Sequence, residues 1–216
     1  MPVQQYDNQV AKEIAKALVN IEAIKISPQA PFTWASGWKS PIYCDNRLSL
    51  SYPKTRSLVK NHLAKVIREK FPNAECIAGV ATAGIPQGAL VADALDLPFI
   101  YIRSTTKGHG MENQIEGVAS KGTKVVLIED LVSTGGSSLQ AAEAVRTAGM
   151  EVLGMVAIFT YGFGISEENF KDHHVDLWYL SDYSTMIAAM LADGSIAPDQ
   201  EATLKAWRSN PAQWNQ

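Results

Sequence analysis

Cysteine is scarce in this chain of 216 residues: Cys44 and Cys76 are the whole complement. They stand far apart and form no Cys-x-x-Cys unit. A disulfide-stapled scaffold is therefore not expected, and two buried, reduced thiols in a cytoplasmic protein are. Apolar runs of the ~18 residues needed to span a bilayer are missing. The opening Met1-Pro-Val-Gln-Gln-Tyr-Asp7 has no basic segment leading into an apolar one, so a signal peptide is not expected either. Positive charge is not in excess, and a net charge of −3 gives no electrostatic basis for binding nucleic acid or an anionic membrane. Two nucleotide-binding signatures are absent as well: there is no Gly-Lys-Ser/Thr, and no Gly-x-Gly-x-x-Gly follows a strand. No internal repeat, low-complexity tract or linker interrupts the chain.

What is present suits one domain with some elaboration at its ends. Hydrophobic residues make up 46% of the chain, ample for a core. Val10, Ile14 and Leu18 are spaced as one face of a helix over 10–21. Pro53 opens a second helix that runs to about Lys70, and Pro72 ends it. Strands and helices then alternate: strand 76–80, helix 84–95, strand 99–103, strand 125–130, helix 137–148, and strands 152–160 and 175–179. Two short helices, around 185–191 and 199–209, close the chain. Short connections and nearly continuous apolar strands predict an α/β fold with a mainly parallel sheet covered on both faces. Ligands of such sheets sit beyond the carboxyl ends of the strands, which directs attention to the loops after Val80, Arg103 and Asp130.

The third of these is the most informative. Val125 to Ile128 reads as a buried strand, followed by adjacent acids Glu129 and Asp130, then Leu131 and Val132, and then Ser133-Thr134-Gly135-Gly136-Ser137 at the start of a helix. Glycines admit a phosphate close to the backbone, and the first N–H groups of a helix lack partners within it and favour an anion. Ser133, Thr134 and Ser137 add hydroxyl donors, and the two carboxylates can accept hydrogen bonds from ribose hydroxyls. An ordinary strand–helix turn with a capping Ser or Thr does not account for two acids placed before a Gly-Gly. The stretch resembles the phosphoribosyl-pyrophosphate signature of the type I phosphoribosyltransferases. That resemblance implies their fold: a central, mainly parallel sheet flanked by helices with a small N-terminal hood. The expected division is a hood of about residues 1–50 plus the C-terminal helices, with a core of about 51–180.

Arg103-Ser-Thr-Thr-Lys-Gly-His-Gly-Met-Glu-Asn-Gln-Ile-Glu-Gly117 is long, polar and punctuated by glycine, the character of a functional or mobile loop. Its Lys107-x-His109-Gly110 followed by Ile115-Glu116-Gly117 is similar to the catalytic loop of orotate phosphoribosyltransferases. The resemblance implies a lid that closes over substrate and reaches the neighbouring subunit's site in a homodimer, with Arg103, Lys107 and His109 on the pyrophosphate leaving group. Ser104 and Thr105 stand where relatives often carry a second lysine.

Two further segments fit the same family. Ser36-Gly-x-x-Ser40-Pro-x-Tyr43 with Asp45-Asn46-Arg47 resembles its hood, which implies that Tyr43 and Cys44 meet the orotate ring. Relatives often have Lys where Ala35 stands, and an Asp-Arg pair after the strand ending near Thr160, where this chain has Thr160-Tyr161-Gly162-Phe163. Arg47 is therefore the candidate cation for the orotate carboxylate, and Ser133 is placed near orotate as well as the donor. Ala81-Thr82-Ala83-Gly84 resembles the pyrophosphate loop, where backbone N–H groups cradle the leaving group with Mg²⁺. The implied reaction joins orotate to 5-phosphoribosyl 1-diphosphate (PRPP), giving orotidine 5'-phosphate and diphosphate in pyrimidine synthesis. A transferase for another base, and a non-enzymatic sensor that kept the fold, are the other classes. The segment from Ser36 to Arg47 speaks against the first, and the acidic charge and Lys107/His109 loop speak against the second. His173-His174 is expected to be a surface pair, His62 a helix-surface residue, Phe32, Trp34 and Trp38 packing residues, and Trp207 and Trp214 anchors for the terminal helices.

Overall fold

The computed structural model describes residues 2–34, 37–104 and 114–214. Strand β1 (Val3–Gln5) leads to helix α1 (Asn8–Asn20), whose first turn is capped by Asp7 accepting from the Gln9 and Val10 amides at 2.8 and 2.9 Å. Short strands β2 (Ile24–Ile26), β3 (Phe32–Thr33), β4 (Lys39–Ser40) and β5 (Ile42–Cys44) precede a 3-10 turn at Asn46–Ser51. There follow α2 (Pro53–Lys70), β6 (Cys76–Val80), α3 (Gly84–Leu95), β7 (Phe99–Ile102), β8 (Ile115–Glu116), β9 (Lys124–Val132) and α4 (Gly136–Thr147). The chain ends with β10 (Glu151–Thr160), α5 (Gly164–Asp172), β11 (Leu177–Asp182), α6 (Tyr183–Ala192) and α7 (Pro198–Ser209).

The main sheet has seven strands in the order β1-β11-β10-β9-β6-β7-β8, parallel except for the β7–β8 pair. Period-2 alternation splits its central strand between two core layers. Val126 and Ile128 face α1, α2, α3 and α6, while Val125 and Leu127 face α4 and α5. The expected α/β architecture with both faces covered is present. The pairs β2–β5 and β3–β4 stand apart from the main sheet.

Some expected boundaries need correction. The last strand runs over Leu177–Asp182 rather than 175–179, because the Val175 amide is taken by the Phe170 carbonyl (3.1 Å) as α5 ends. Helix α5 itself was not anticipated, nor was β1, which pairs with β11 at the sheet edge. The loop after Arg103 is shorter than it reads in sequence, since β8 returns alongside β7 and matches Tyr101 to Glu116 and Ile102 to Ile115.

Close backbone approach sets α3 against the sheet. A Cβ at Gly84 would run into the Ile128 carbonyl oxygen, and one at Gly79 would lie 2.8 Å from the Ile85 Cα. The loop preceding α3 is therefore pressed against the end of β9. Gly84→Ala is expected to lower stability by about 3 kcal/mol through overpacking against backbone that cannot yield. For a chain of this size that corresponds to roughly 6–12 °C in Tm, read by calorimetry; an unchanged Tm would show the approach to be looser than it is drawn.

Candidate active site

The carboxyl ends of β6 and β9 and the segment after β5 enclose a cleft of about 340 Å³. Residues 81–83 form one wall, Glu129, Asp130 and Leu131 the floor, Tyr43 to Asp45 with Arg47 the opposite wall, and Ser137 the end. A larger cavity, about 820 Å³, lies between the start of α5, α6 and α7, but it contains neither the acids nor residues 81–83. The smaller cleft is the one that gathers both acids, residues 81–83 and Ser137.

The two acids hold unequal positions. Glu129 is 5% exposed, and both its carboxyl oxygens are engaged, one accepting from the Asp130 amide at 3.0 Å and the other from Ser138 Oγ at 2.9 Å. Burial, and then the charge of Asp130 beside it, push the Glu129 carboxyl well above the usual range. Burial raises Asp130 as well, opposed by a hydrogen bond with Glu129, by the Asp130 and Leu131 amides and by the charge of Arg47. Two carboxyls this close do not both ionise easily, so the deeper Glu129 gives up its proton at higher pH than an ordinary carboxyl.

Beyond Asp130 the strand continues two residues further than expected. The Val132 side chain is buried in the core, and its carbonyl accepts from Thr160 Oγ1 (3.2 Å) and the Tyr161 amide (3.1 Å). Gly135, at φ +85°, turns the chain into α4, and a Cβ there would meet the Phe170 ring at 2.7 Å. Gly136 and Ser137 are exposed at the helix start, no side chain caps it, and a Cβ on Gly136 would touch nothing within 4 Å. An uncapped helix start opening on free space suits a phosphate. Asn169 of α5 donates to the Thr134 carbonyl at 2.9 Å and braces this turn.

Residues 81–83 join the cleft through a cis peptide bond between Ala81 and Thr82, and the Ala81 amide donates to the Ile102 carbonyl. Arg103 is not in the cleft but in a notch beside it, sharing Ala81 and Ser137 as walls. Its amide donates to the Gln114 carbonyl at 2.8 Å, and its guanidinium lies 3.4 Å from Glu116. The β7–β8 pair thus brings the two ends of segment 105–113 together at the rim. Lys107 and His109 lie outside the described residues, as do Ala35 and Ser36.

Tyr43 is exposed to the cleft, with its ring 5.6 Å from that of Phe32. Arg47 bonds Asp45 through Nε at 2.6 Å and Nη2 at 2.9 Å and reaches the Tyr43 hydroxyl at 3.3 Å, yet its side chain stays 57% exposed. The Cys44 thiol is buried and its titration is pushed up by that burial. Burial, and then the Cys44 thiol beside it, push the Tyr161 phenol well above its ordinary range. Tyr161 belongs to a cluster with Trp34, Trp38, Phe163, Tyr183 and the fully buried Trp207. Trp207 Nε1 donates to the Lys39 carbonyl (2.9 Å), so the aromatic cluster clamps the N-terminal strand pairs onto α7.

The phosphoribosyl transferase domain family matches residues 51–181. Orotate phosphoribosyltransferase of Cytophaga hutchinsonii is 55% identical over 203 residues, 94% of this chain and 97% of that one. The chain belongs to the orotate phosphoribosyltransferase family. Solved structures agree: Leishmania donovani UMP synthase superposes with a TM-score of 0.79 at 31% identity, over 92% of this chain and 42% of that longer one. Orotate phosphoribosyltransferase from Aeropyrum pernix gives 0.74 at 29% identity, over 85% and 99%.

Sequence reasoning did not single out Asn46, Ser49, Gln87, Ser138 or Asn169 in this orotate phosphoribosyltransferase-family fold. Of these, Asn46 carried a visible signal as the middle of Asp45-Asn46-Arg47, and Ser138 as the last residue of the Gly-Gly-Ser-Ser run. His62 bridges α1 and α2, 3.1 Å from Glu13, and the His173-His174 pair is exposed. Among the described residues no helix is long and apolar enough to cross a membrane.

Proposed function

We propose that this protein transfers the phosphoribosyl group of PRPP to orotate, giving orotidine 5'-phosphate and diphosphate. The observation that carries the proposal is the convergence, in one cleft, of an adjacent acid pair, an uncapped glycine-opened helix start and the 81–83 loop, lined also by Tyr43 of β5 and Arg47 of the 3-10 turn that follows it. The 5'-phosphate would sit at the start of α4 on the 133–137 turn, the ribose hydroxyls on Asp130 and Glu129, and the diphosphate on the amides of 81–84. Orotate would fill the space between Tyr43 and Asp130, with its carboxylate toward Arg47 and Ser133 close by. The ring nitrogen attacks the anomeric carbon as the bond to the diphosphate oxygen breaks, with inversion and an oxocarbenium-like transition state. Asp130 then faces developing positive charge, while cations from the lid meet the negative charge on the leaving oxygens. No covalent catalysis is required, because positioning and charge stabilisation suffice.

Among the described residues no three His, Cys, Asp or Glu side chains come together to hold a metal. Mg²⁺ would be held mainly through the donor's phosphates and hydroxyls, keeping several waters. When bound it would neutralise charge on the diphosphate. A hood (about residues 1–50 with the C-terminal helices) over a core of about 51–180, a homodimer that exchanges lids carrying Lys107 and His109, and a cytoplasmic location complete the proposal.

Arg47→Ala tests the orotate end. Loss of a charge-assisted contact is expected to raise the orotate KM by roughly 10-fold or more, with the donor KM nearly unchanged. An unchanged orotate KM would remove Arg47 from the site. A panel of purine bases assayed beside orotate tests the class of base, since turnover with a purine alone would overturn the proposed substrate.

A further inference from the structure

We infer that Asn46, Ser49 and Gln87 form a buried positioning relay that holds the ribose-facing acid, the segment over the base and the diphosphate-loop helix in one register. The inference deepens the proposed transfer reaction and rests on it.

The contacts form a continuous line. Asn46 Nδ2 donates to the Asp130 carbonyl at 2.7 Å, and Asn46 Oδ1 accepts from the Cys44 thiol at 3.3 Å. Ser49 Oγ donates to the Asn46 carbonyl at 2.6 Å, and Gln87 Nε2, on the first turns of α3, donates to Ser49 Oγ at 3.1 Å. All three residues are at most 1% exposed. The directions are fixed by valence. The Asp130 carbonyl only accepts, so Asn46 must present its amide nitrogen. The Ser49 proton is spent on the Asn46 carbonyl, so Ser49 must accept from Gln87.

Two observations set this relay apart from ordinary core filling. The Asp130 carbonyl that Asn46 grips belongs to the acid on the cleft floor, so the bond ties that residue's rigid peptide plane to the segment carrying Tyr43 and Arg47. Asn46 therefore orients the acid that faces the ribose through the plane it grips. At the other end, Gln87 lies four residues beyond Ala83, on the helix that the 81–83 loop opens into. Its Oε1 is buried with no partner among the described residues. An apolar side chain would avoid that cost if packing were the sole requirement.

The test uses the full chain as Asn46→Ala, Gln87→Met, their double variant, and Ser49→Thr, which keeps the hydroxyl. Melting temperature, kcat, both KM values and the affinity for PRPP measured by calorimetry are compared with the parent. Gln87→Met is expected to melt at or above the parent temperature, yet to lose about 10- to 100-fold in kcat from misplaced loops and to bind PRPP more weakly. Ser49→Thr is expected to retain most activity. The double variant should lose less than the product of the two single losses, because both break one line. Folded single variants with kcat, KM and donor affinity within about twofold of the parent, the scale of a small energy difference, would overturn the relay. So would losses that simply multiply. A parent that fails to turn over orotate overturns the proposed reaction instead. The relay is then judged on PRPP affinity, which it requires to weaken in Gln87→Met and which, if unchanged, rejects it.

Discussion

Asp130→Asn is expected to lower kcat/KM for the phosphoribosyl donor by about 10²- to 10³-fold, the usual cost of removing a group aimed at developing charge. The fold should survive, since Asn keeps the shape and one acceptor. Glu129→Gln should behave differently. Glu129 is the deeper acid, held by the Asp130 amide and Ser138, so its loss should act more on donor binding than on the chemical step. Its effect on stability depends on pH, and the sign follows from its raised titration. A carboxyl raised in the folded state contributes stability that is fully present below its unfolded pKa and lost as pH rises through the folded one. Relative to the parent, Glu129→Gln should gain Tm as pH climbs above the ordinary carboxylate range. Ribose hydroxyls donate to carboxylates, so donor binding favours loss of the Glu129 proton. The parent's donor KM should therefore fall as pH rises through the same window, and the dependence should flatten in Glu129→Gln. Thermal melts and donor titrations between about pH 5 and 8.5 read both. A difference in melting temperature between Glu129→Gln and the parent that stays constant at every pH would contradict the raised Glu129 titration.

Lys107→Ala is the second large effect expected. The lysine lies outside the described residues, and its role comes from the Lys-x-His-Gly pattern together with the geometry of the loop's base. β7 and β8 hold the ends of 105–113 at the rim of the notch that shares Ala81 and Ser137 with the cleft. From there a closing loop would deliver cations to the diphosphate on the 81–84 amides. Such contacts matter most as the leaving oxygens gain charge, so kcat should fall about 10²- to 10³-fold with a donor KM changed only a few-fold. A variant that lost donor affinity and kept kcat would make Lys107 a ground-state contact. In a dimer with exchanged lids, mixing Lys107→Ala with Asp130→Asn should restore up to about a quarter of parental activity in statistically mixed dimers. No restoration would argue that each lid serves its own subunit.

The parts of this molecule that were legible in its sequence share a physical reason. The β9–α4 turn could be read because an unbroken apolar run, two acids and paired glycines lie within fourteen consecutive residues. The parallel core could be read because its strands are buried on both faces and so are continuously apolar. Helix α5 escaped notice because Gly162 and Gly164 read as breakers and only Ser166 and Phe170 are buried in it, too few for a pattern. Strand β1 is short, half-buried and at an edge, where composition says little. The Asn46–Ser49–Gln87 line joins positions 38 and 84 residues apart, and no local pattern encodes a meeting that only the folded chain creates. The Tyr161-Gly162-Phe163 stretch proves to be part of an aromatic clamp, visible only once Trp34, Trp38 and Trp207 converge on it.

The central claim is the transfer of a phosphoribosyl group to orotate. The most direct test mixes the protein with PRPP, Mg²⁺ and orotate and follows the loss of orotate absorbance together with the release of diphosphate. The account predicts that both proceed together, one diphosphate for each orotate consumed. Diphosphate release with orotate untouched, or binding of PRPP without turnover of any base, would contradict it.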